Sequence, residues 1–448
     1  MSRKTMLAVA ALALATPAAA QQDSARTTIT YEQAIDLALS QSATLQRARN
    51  DVDVARLGVA GARTAFLPDL RLSVSGDQSY GRRFSQDQGA VLSETDESVS
   101  GRVSTGVTLF DGFANVSELE AANLGAEAAL LELERTEQTV VFDVIAGFLE
   151  LVAAREQVDV LAQALAAQEQ QEQQVGVLVD GGRRPVSDLY QQQANVAAAR
   201  VALVEARRTL QLAEVDLVQS LRLDPTEDYT FVAPALPDSV GAPETRAFDV
   251  LLARAWENRA DIVALERRVD VAEEQVDVAQ AGRWPSVSLS ASYGSAYTTA
   301  SELGFNEQLD QRRGGSIGVG VSVPLFDRGS AGRQTEQARI QEENARLALD
   351  DLRHTVAIEV RRALLDRDAA IERLAAAEAR VTAARRALTA TGQRYDAGVA
   401  TLLEVTQARA DMTAAESDLV NARYTLLFQE EALDYYAGEL GEQTEIGD

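Results

Sequence analysis

Two hydrophobic periods run along this chain, and the pair of them occurs twice. Leu189, Val196, Leu203, Leu210 and Leu217 recur every seven residues, and Val405, Met412, Leu419, Leu426 and Leu433 repeat that stripe 216 positions later. The companion position is mostly alanine: Ala199, Ala206 and Ala213 in one stripe, Ala408, Ala415 and Ala422 in the other. Leu374, Val381, Leu388 and Tyr395 make a third seven-residue row. A sustained heptad predicts supercoiled helices packed knobs into holes, and the alanines let neighbouring helices approach closely. Elsewhere the period drops to two. Leu70, Leu72 and Val74 alternate with Arg71, Ser73 and Ser75; Ile317, Val319, Val321 and Val323 alternate with Gly318, Gly320 and Ser322. That pattern predicts strands with one apolar and one polar or small face.

The chain is one unit written twice. Leu67-Pro68-Asp69-Leu70 matches Trp284-Pro285-Ser286-Val287; Leu109-Phe110-Asp111-Gly112 matches Leu325-Phe326-Asp327-Arg328; Val179-Asp180-Gly181-Gly182 matches Tyr395-Asp396-Ala397-Gly398. Three matches at a near-constant offset mark an internal duplication, with repeat 1 over 21–223 and repeat 2 over 248–448. The join, 224–247, holds Pro225, Pro234, Pro237 and Pro243 and predicts an irregular linker. Each repeat predicts a helix (44–66; 260–283), a strand (69–76; 286–293), a polar loop (77–101; 294–315) and a second strand (102–110; 316–325). A very long helix (114–179; 330–395), a Gly turn and a returning helix (186–222; 402–438) complete it.

Lengths constrain how these parts stack. The helix 114–179 spans about 100 Å, and 186–222 plus 260–283 together reach about 90 Å. The two shorter helices therefore lie end to end beside the long one, which puts 224–247 part way along the rod as a belt.

Composition removes most chemistry. The chain has no cysteine and a single histidine, His354, so disulfides, thiol nucleophiles, cysteine zinc sites and a His-based triad or metal site are all excluded. No cofactor is expected. Gly314-Gly315-Ser316 lacks the lysine and following helix of a phosphate loop. The acidic and glutamine-rich stretch 168–174 predicts a solvated helix face. A net charge of -26 disfavours nucleic acid. Arg3-Lys4, an apolar run from Met6 to Ala15 and Ala18-Ala19-Ala20 predict a secretory signal peptide over 1–20.

For an exported chain without a long apolar helix, a β-barrel is the remaining way to span a membrane. Four strands per chain cannot close, since a barrel needs at least about eight; three chains supply an even, closable set. Tyr80, Phe84, Phe110, Trp284, Tyr293 and Phe326 sit near the predicted strand ends, where interfacial aromatics belong. The competing reading is a periplasmic coiled-coil structural or adaptor protein with a small soluble sheet and no barrel.

The duplicated order of elements, with Val323-Pro324-Leu325-Phe326-Asp327-Arg328-Gly329, Tyr395-Asp396-Ala397-Gly398, Thr401-Leu402-Leu403-Glu404-Val405-Thr406-Gln407-Ala408 and Asn421-Ala422-Arg423-Tyr424, resembles the TolC family of outer-membrane efflux and secretion channels. The resemblance covers about 30–440. It implies a mainly α fold: a long coiled-coil helical barrel plus a short transmembrane β-barrel, four strands per chain and twelve per homotrimer. It implies placement in outer-membrane lipid with the helices in the periplasm. The partners it implies are a periplasmic adaptor (membrane fusion) protein and an inner-membrane transporter. The chain would be a passive exit duct and not an enzyme. Met412 is the only methionine after the leader, which disfavours a dedicated soft-metal exporter.

The resemblance also implies a periplasmic gate at the far ends of the long helices. Counting from Gly398, the acidic rings of the family fall on Glu404 and Gln407, so the second ring is neutral here. Tyr395 and Asp188 match positions whose hydrogen bonding latches the closed entrance. At Ala400 the family often carries an arginine; Arg183 and Arg184 are the candidates to replace it. Ordinary solvated tip residues are the alternative for Glu404 and Asp188.

Overall fold

The structure is a computed structural model describing residues 27–85, 89–232, 247–301 and 303–440. The predicted leader, 1–20, and part of the predicted linker, 233–246, lie outside the described residues.

Two helices of 67 residues, α3 (Ala114–Asp180) and α8 (Ser330–Asp396), run the length of the molecule. Each returns through a shorter helix, α4 (Val186–Ser220) and α9 (Leu402–Ala437). The heptad positions face inward: Val196, Leu203 and Leu217 are buried on α4, and Val405, Met412, Leu426 and Leu433 on α9. α2 (Ala43–Thr64) and α6 (Ala260–Ala281) pack on α3, and α6 also on α8, beyond the ends of the returning helices. No helix among the described residues is long and apolar enough to cross a membrane.

The strands are β2 (Arg71–Ser85), β3 (Ala90–Phe110), β5 (Ser286–Thr298) and β6 (Gly314–Ser322), an antiparallel sheet in the order β2-β3-β5-β6. Most of what the sequence predicts as the loop 77–101 is therefore paired strand. The loop 294–315 contains the end of β5, the start of β6 and a short helix, α7 (Phe305–Gln311). Backbone ladder bonds hold these extensions, so they need no apolar alternation. β6 stops at Ser322 rather than 325, ahead of Pro324, which has no N–H to donate. Leu72 lies opposite Val103, which lies opposite Tyr293; Val107, Leu289 and Val319 line up likewise. On the other face Ser104, Ser292 and Ser316 align, as do Gly106, Ser290 and Gly318. The apolar face is uncovered within one chain, with Leu72 73% and Ile317 81% exposed.

Strand passes to long helix through the same elbow in both repeats. Gly112 and Phe113, and Arg328 and Gly329, all have positive φ. The preceding aspartate caps the helix: Asp111 accepts from the Asn115 N–H at 3.1 Å and Asp327 from the Ala331 N–H at 2.7 Å. Backbone donors from Ala331 and Gly329 hold the Asp327 carboxyl below its ordinary pKa. The aspartate of each repeated Leu-Phe-Asp, two residues ahead of the N-cap, thus satisfies a first-turn N–H.

Midway along α3 the predicted linker turns out to be partly ordered. β4 (Tyr229–Val232) pairs in parallel with β1 (Thr27–Thr30). Strands of four residues are too short to show a period. Thr30 then starts α1 (Tyr31–Gln41) with a capping box to Gln33, and α5 (Phe248–Asn258) is its counterpart in repeat 2. Ile29, Phe231, Leu221, Tyr31 and Phe148 share one core there, with Tyr31 and Phe231 meeting Phe148 edge to face at 5.5 and 5.9 Å.

Candidate functional site

The two helix–turn–helix tips lie at the end of the molecule remote from the sheet. Gly182 and Gly398 hold equivalent places with φ of 67° and 75°, a conformation that favours glycine, and each closes its helix with reversed backbone bonds. The Arg183 N–H donates to Leu178 O at 2.8 Å; the Val399 N–H donates to Arg394 O at 2.8 Å. Val175, Tyr395, Ala400, Leu402 and Val405 form a small buried core between the tips, with Val179 and Leu189 against it.

Glu404 is the third residue of α9 and is committed locally. Its carboxylate accepts from the Thr401 N–H at 3.2 Å and hydroxyl at 3.1 Å, and Thr401 Oγ1 accepts from the Glu404 N–H at 3.3 Å. Its other oxygen lies 3.5 Å from the Arg394 guanidinium. The Thr401 hydrogen bonds first, then Arg394, hold the carboxyl below its usual pKa. Glu404 is therefore ionised at neutral pH and is a helix cap as well as a surface charge.

Gln407 donates from Nε2 to Asp411 Oδ1 at 3.0 Å. That bond points to a residue outside the family motif. Glu404, Asp411 and Asp418 are spaced by seven along α9, and Arg394, Ala387 and Arg380 stand opposite in antiparallel order on α8. Glu404 has Arg394 and Asp418 has Arg380. Asp411 has alanine across from it, and among the described residues its side-chain hydrogen-bond partner is the neutral Gln407. A groove of about 870 Å³ between α8 and α9 is lined there by Ala383, Ala387, Thr391, Glu404, Gln407 and Asp411. On the helix surface Asp411 projects between Glu404 and Gln407 in azimuth. The negative charge missing at Gln407 thus reappears one turn further along. The heptad frame of the apolar stripe, applied to charges, would have found it.

Tyr395 and Asp188 share no hydrogen bond. The Tyr395 hydroxyl is buried with no hydrogen-bond partner among the described residues. The Arg184 guanidinium instead sits over its ring, 4.5 Å from the centroid. Burial foremost, then the charges of Asp188 and Asp396, raise the Tyr395 pKa against the pull of Arg184. Ala400 is 4% exposed and belongs to the tip core, so a family-type arginine would not fit there in this packing. Of the two candidates for that role, Arg184 spans the helix pairs.

The seam between α3 and α9 above the tip core is polar. Arg409 donates to Gln171 Oε1 at 3.1 Å, Gln157 to Ser417 Oγ at 2.8 Å, and the Tyr424 hydroxyl to Glu156 at 2.6 Å. Hydrogen bonds of this kind exchange with water when two helices separate, whereas interlocked apolar knobs do not. No cluster of His, Cys, Asp and Glu able to hold a metal ion occurs among the described residues.

A duplicated helical hairpin of this length, ending in an amphipathic sheet with open edges, defines a subunit of an outer-membrane channel-tunnel. The chain belongs to the outer membrane efflux protein family, whose model matches residues 34–221 and 251–439. It is 26% identical to the outer membrane protein TolC of Salmonella enteritidis, over 89% of this chain and 80% of that one. It is also 26% identical to the outer membrane efflux protein BepC of Brucella suis, over 87% of this chain and 82% of that one. The fold superposes on the crystal structure of the outer membrane protein VceC of Vibrio cholerae with a TM-score of 0.79, covering 91% of this chain and 96% of that one at 22% identity. The protein is thus an outer-membrane channel of the efflux and secretion class, its helical part lying in the periplasm. The family is one of transport channels rather than enzymes.

Proposed function

We propose that three copies assemble into a continuous duct, a twelve-stranded barrel over a twelve-helix tunnel, after removal of the leader 1–20. The observation that carries this is the four-stranded sheet itself. Its outer strands β2 and β6 each present an unpaired edge, and lipid cannot satisfy unpaired backbone groups. Pairing β2 of one copy with β6 of the next closes the edges over the nine-residue span of β6. The duct performs no chemistry and passes cargo delivered by an inner-membrane transporter through a periplasmic adaptor. Exposed Val177, Val186, Tyr190, Val399 and Leu403 at the tips suit such an adaptor.

The tip is the gate. In the trimer, Glu404 and Asp411 form two acidic rings separated by two helical turns, with the neutral Gln407 ring between them. Converging carboxylates in a narrow, low-dielectric entrance focus the field and favour cations. Arg184 on Tyr395 is the latch between helix pairs, and Asp188 contributes negative potential beside it.

One preparation tests both halves. Light scattering in detergent is expected to report three chains, and a stable monomer retaining its β content would refute the assembly. In planar bilayers, Glu404→Gln and Asp411→Asn are each expected to lower cation selectivity and relieve block by trivalent cations. The double variant should do more than either alone. If neither variant changes selectivity or block, the gate lies elsewhere.

A further inference from the structure

The sheet face opposite the apolar one is mostly Ser and Gly over its periplasmic part, with Asp77 and Asp96 further out. From the periplasmic end it carries Ser73, Ser104, Gly106, Ser288, Ser290, Ser292, Ser316, Gly318 and Gly320. Arg71, at its periplasmic edge, is neutralised by Asp69 at 2.8 Å, and Asp69 also accepts from the Gly106 N–H. The next charge is Arg102. It stands opposite Ser73 on one side and Gly294 on the other, and Gly294 stands opposite Gly314.

Glycine at 294 is a steric requirement. A Cβ there would meet Gly101 O at 2.6 Å and the Arg102 Cα and Cβ at 3.2 and 3.3 Å. A hollow of about 370 Å³ is lined by Arg102, Gly294 and Gly314, and Arg312, just after α7, lines the same hollow. Ser292 and Ser316, whose hydroxyls bond each other at 3.2 Å, also line it. Arg313 is tied to Asp310 at 3.0 Å. Neither Arg102 nor Arg312 has an ion-pair partner among the described residues. The next carboxylate on this face, Asp77, pairs in register with Ser98, four residues further along β3. That is a backbone spacing of about 13 Å, and Asp96 follows two residues beyond it.

We propose that Arg102 and Arg312 form a basic ring in the barrel lumen at the outward limit of its four-stranded part, a second selectivity element opposite in sign to the periplasmic gate. The inference rests on the trimeric barrel proposed above. Threefold symmetry places six guanidiniums around a lumen whose neighbouring positions at that level are Ser and Gly, and rings of arginine select anions. The chemical class recognised is a carboxylate-, sulfonate- or phosphate-bearing solute. Planar guanidinium forks bind such groups in bidentate fashion, with the serine hydroxyls as further donors. An acidic entrance followed by a basic exit also suits zwitterionic cargo, whose two charges meet their complements in turn.

The test uses purified full-length trimer in planar bilayers, with inorganic tripolyphosphate added at the barrel mouth. The wild type is expected to be blocked from that side. Arg102→Ser combined with Arg312→Ser should raise the half-blocking concentration about tenfold, the scale expected when several exposed charge pairings with the polyanion are removed together. Arg102→Lys should keep most of the block. A double variant that conducts normally and blocks like the wild type would overturn the proposal. Arg102→Cys provides a unique thiol, because the chain has no cysteine. Its reaction with a water-soluble charged thiosulfonate is expected to alter conductance. Failure to react would overturn the lumen placement and the barrel reading with it. Reaction together with unchanged tripolyphosphate block would overturn the basic ring alone.

Discussion

At the residue scale, the tip shows how little of a site's wiring follows from the identity of its members. The family pattern points to Tyr395 and Asp188 as hydrogen-bond partners, yet the contact made is Arg184 over the Tyr395 ring. A cation–π contact contributes about 0.5–1 kcal/mol at exposed sites and about 2 kcal/mol where desolvated, and the Tyr395 ring is buried. A buried hydroxyl with no partner costs about 1–3 kcal/mol. Tyr395→Phe is therefore expected to leave the closed gate intact or tighten it, while Arg184→Ala loosens it and raises single-channel conductance. Bilayer recordings of the two variants check this, and the opposite order would restore the hydrogen-bonded latch. Glu404 and Gln407 are proposed as gate positions by counting from Gly398. Asp411 was equally visible as a seven-residue echo of Glu404, but it becomes meaningful only once Ala387 is seen opposite it.

At the scale of elements, periodicity carried furthest where burial is one-sided and long. The α4 stripe places Val196, Leu203 and Leu217 in the interior, and Leu203 is 5% exposed. Leu203→Asp is expected to cost more than about 3 kcal/mol, because a carboxylate is forced into an apolar seam. Gln170→Asp, at an exposed position of α3, should stay within about 0.5 kcal/mol. Thermal unfolding followed by circular dichroism in detergent separates the two, and equal losses would mean that the helical register is wrong. The short elements were less legible. Thr30 and Gln33 spell a capping box that announces α1, but four-residue strands such as β1 and β4 have no period to detect. The outer halves of β2 and β3 also escaped detection. There Tyr80, Val91 and Thr95 are interspersed with Gly, Ser and charged residues, which breaks the alternation while the backbone ladder continues.

At the scale of the whole molecule, a charged clasp fastens repeat 1 to repeat 2 midway along the rod. Arg259, 4% exposed, grips Asp261 through two bonds of 3.0 and 2.7 Å and reaches Glu359 at 2.8 Å. Arg135, from α3 of the other repeat, lies 3.7 Å from Asp261 and stacks 4.0 Å from the Tyr435 ring centroid. Burial alone would raise the Asp261 pKa, but the Arg259 bonds and the two guanidinium charges outweigh it and bring it below normal. A depressed carboxylate stabilises the fold above its unfolded-state pKa, and that contribution is lost as pH falls through the lower folded value. The clasp is thus intact at neutral pH and fails only in strong acid. Asp261→Ala leaves Arg259 buried without its main partner and is expected to cost about 3–5 kcal/mol. Arg254→Ala removes the exposed pair with Glu439 and should cost no more than about 1 kcal/mol. Heat-unfolding midpoints of the two variants check the contrast, and comparable losses would show that the clasp does not hold the repeats together.

The sequence by itself determined the duplication, the coiled-coil helices, the presence of four amphipathic strands and the position of the tip glycines. Each follows from local rules, because a period or a positive φ is written into a few consecutive residues. Tertiary structure decided which charges are paired. Asp261 and Glu359 meet at Arg259 across 98 residues, Arg184 meets Tyr395 across 211, and Arg102 shares a hollow with Arg312 across 210. No pattern along the chain encodes those meetings. They arise because two copies of a long hairpin pack side by side in one fixed register, and that register is set by the whole length of apolar seam rather than by the residues it brings together.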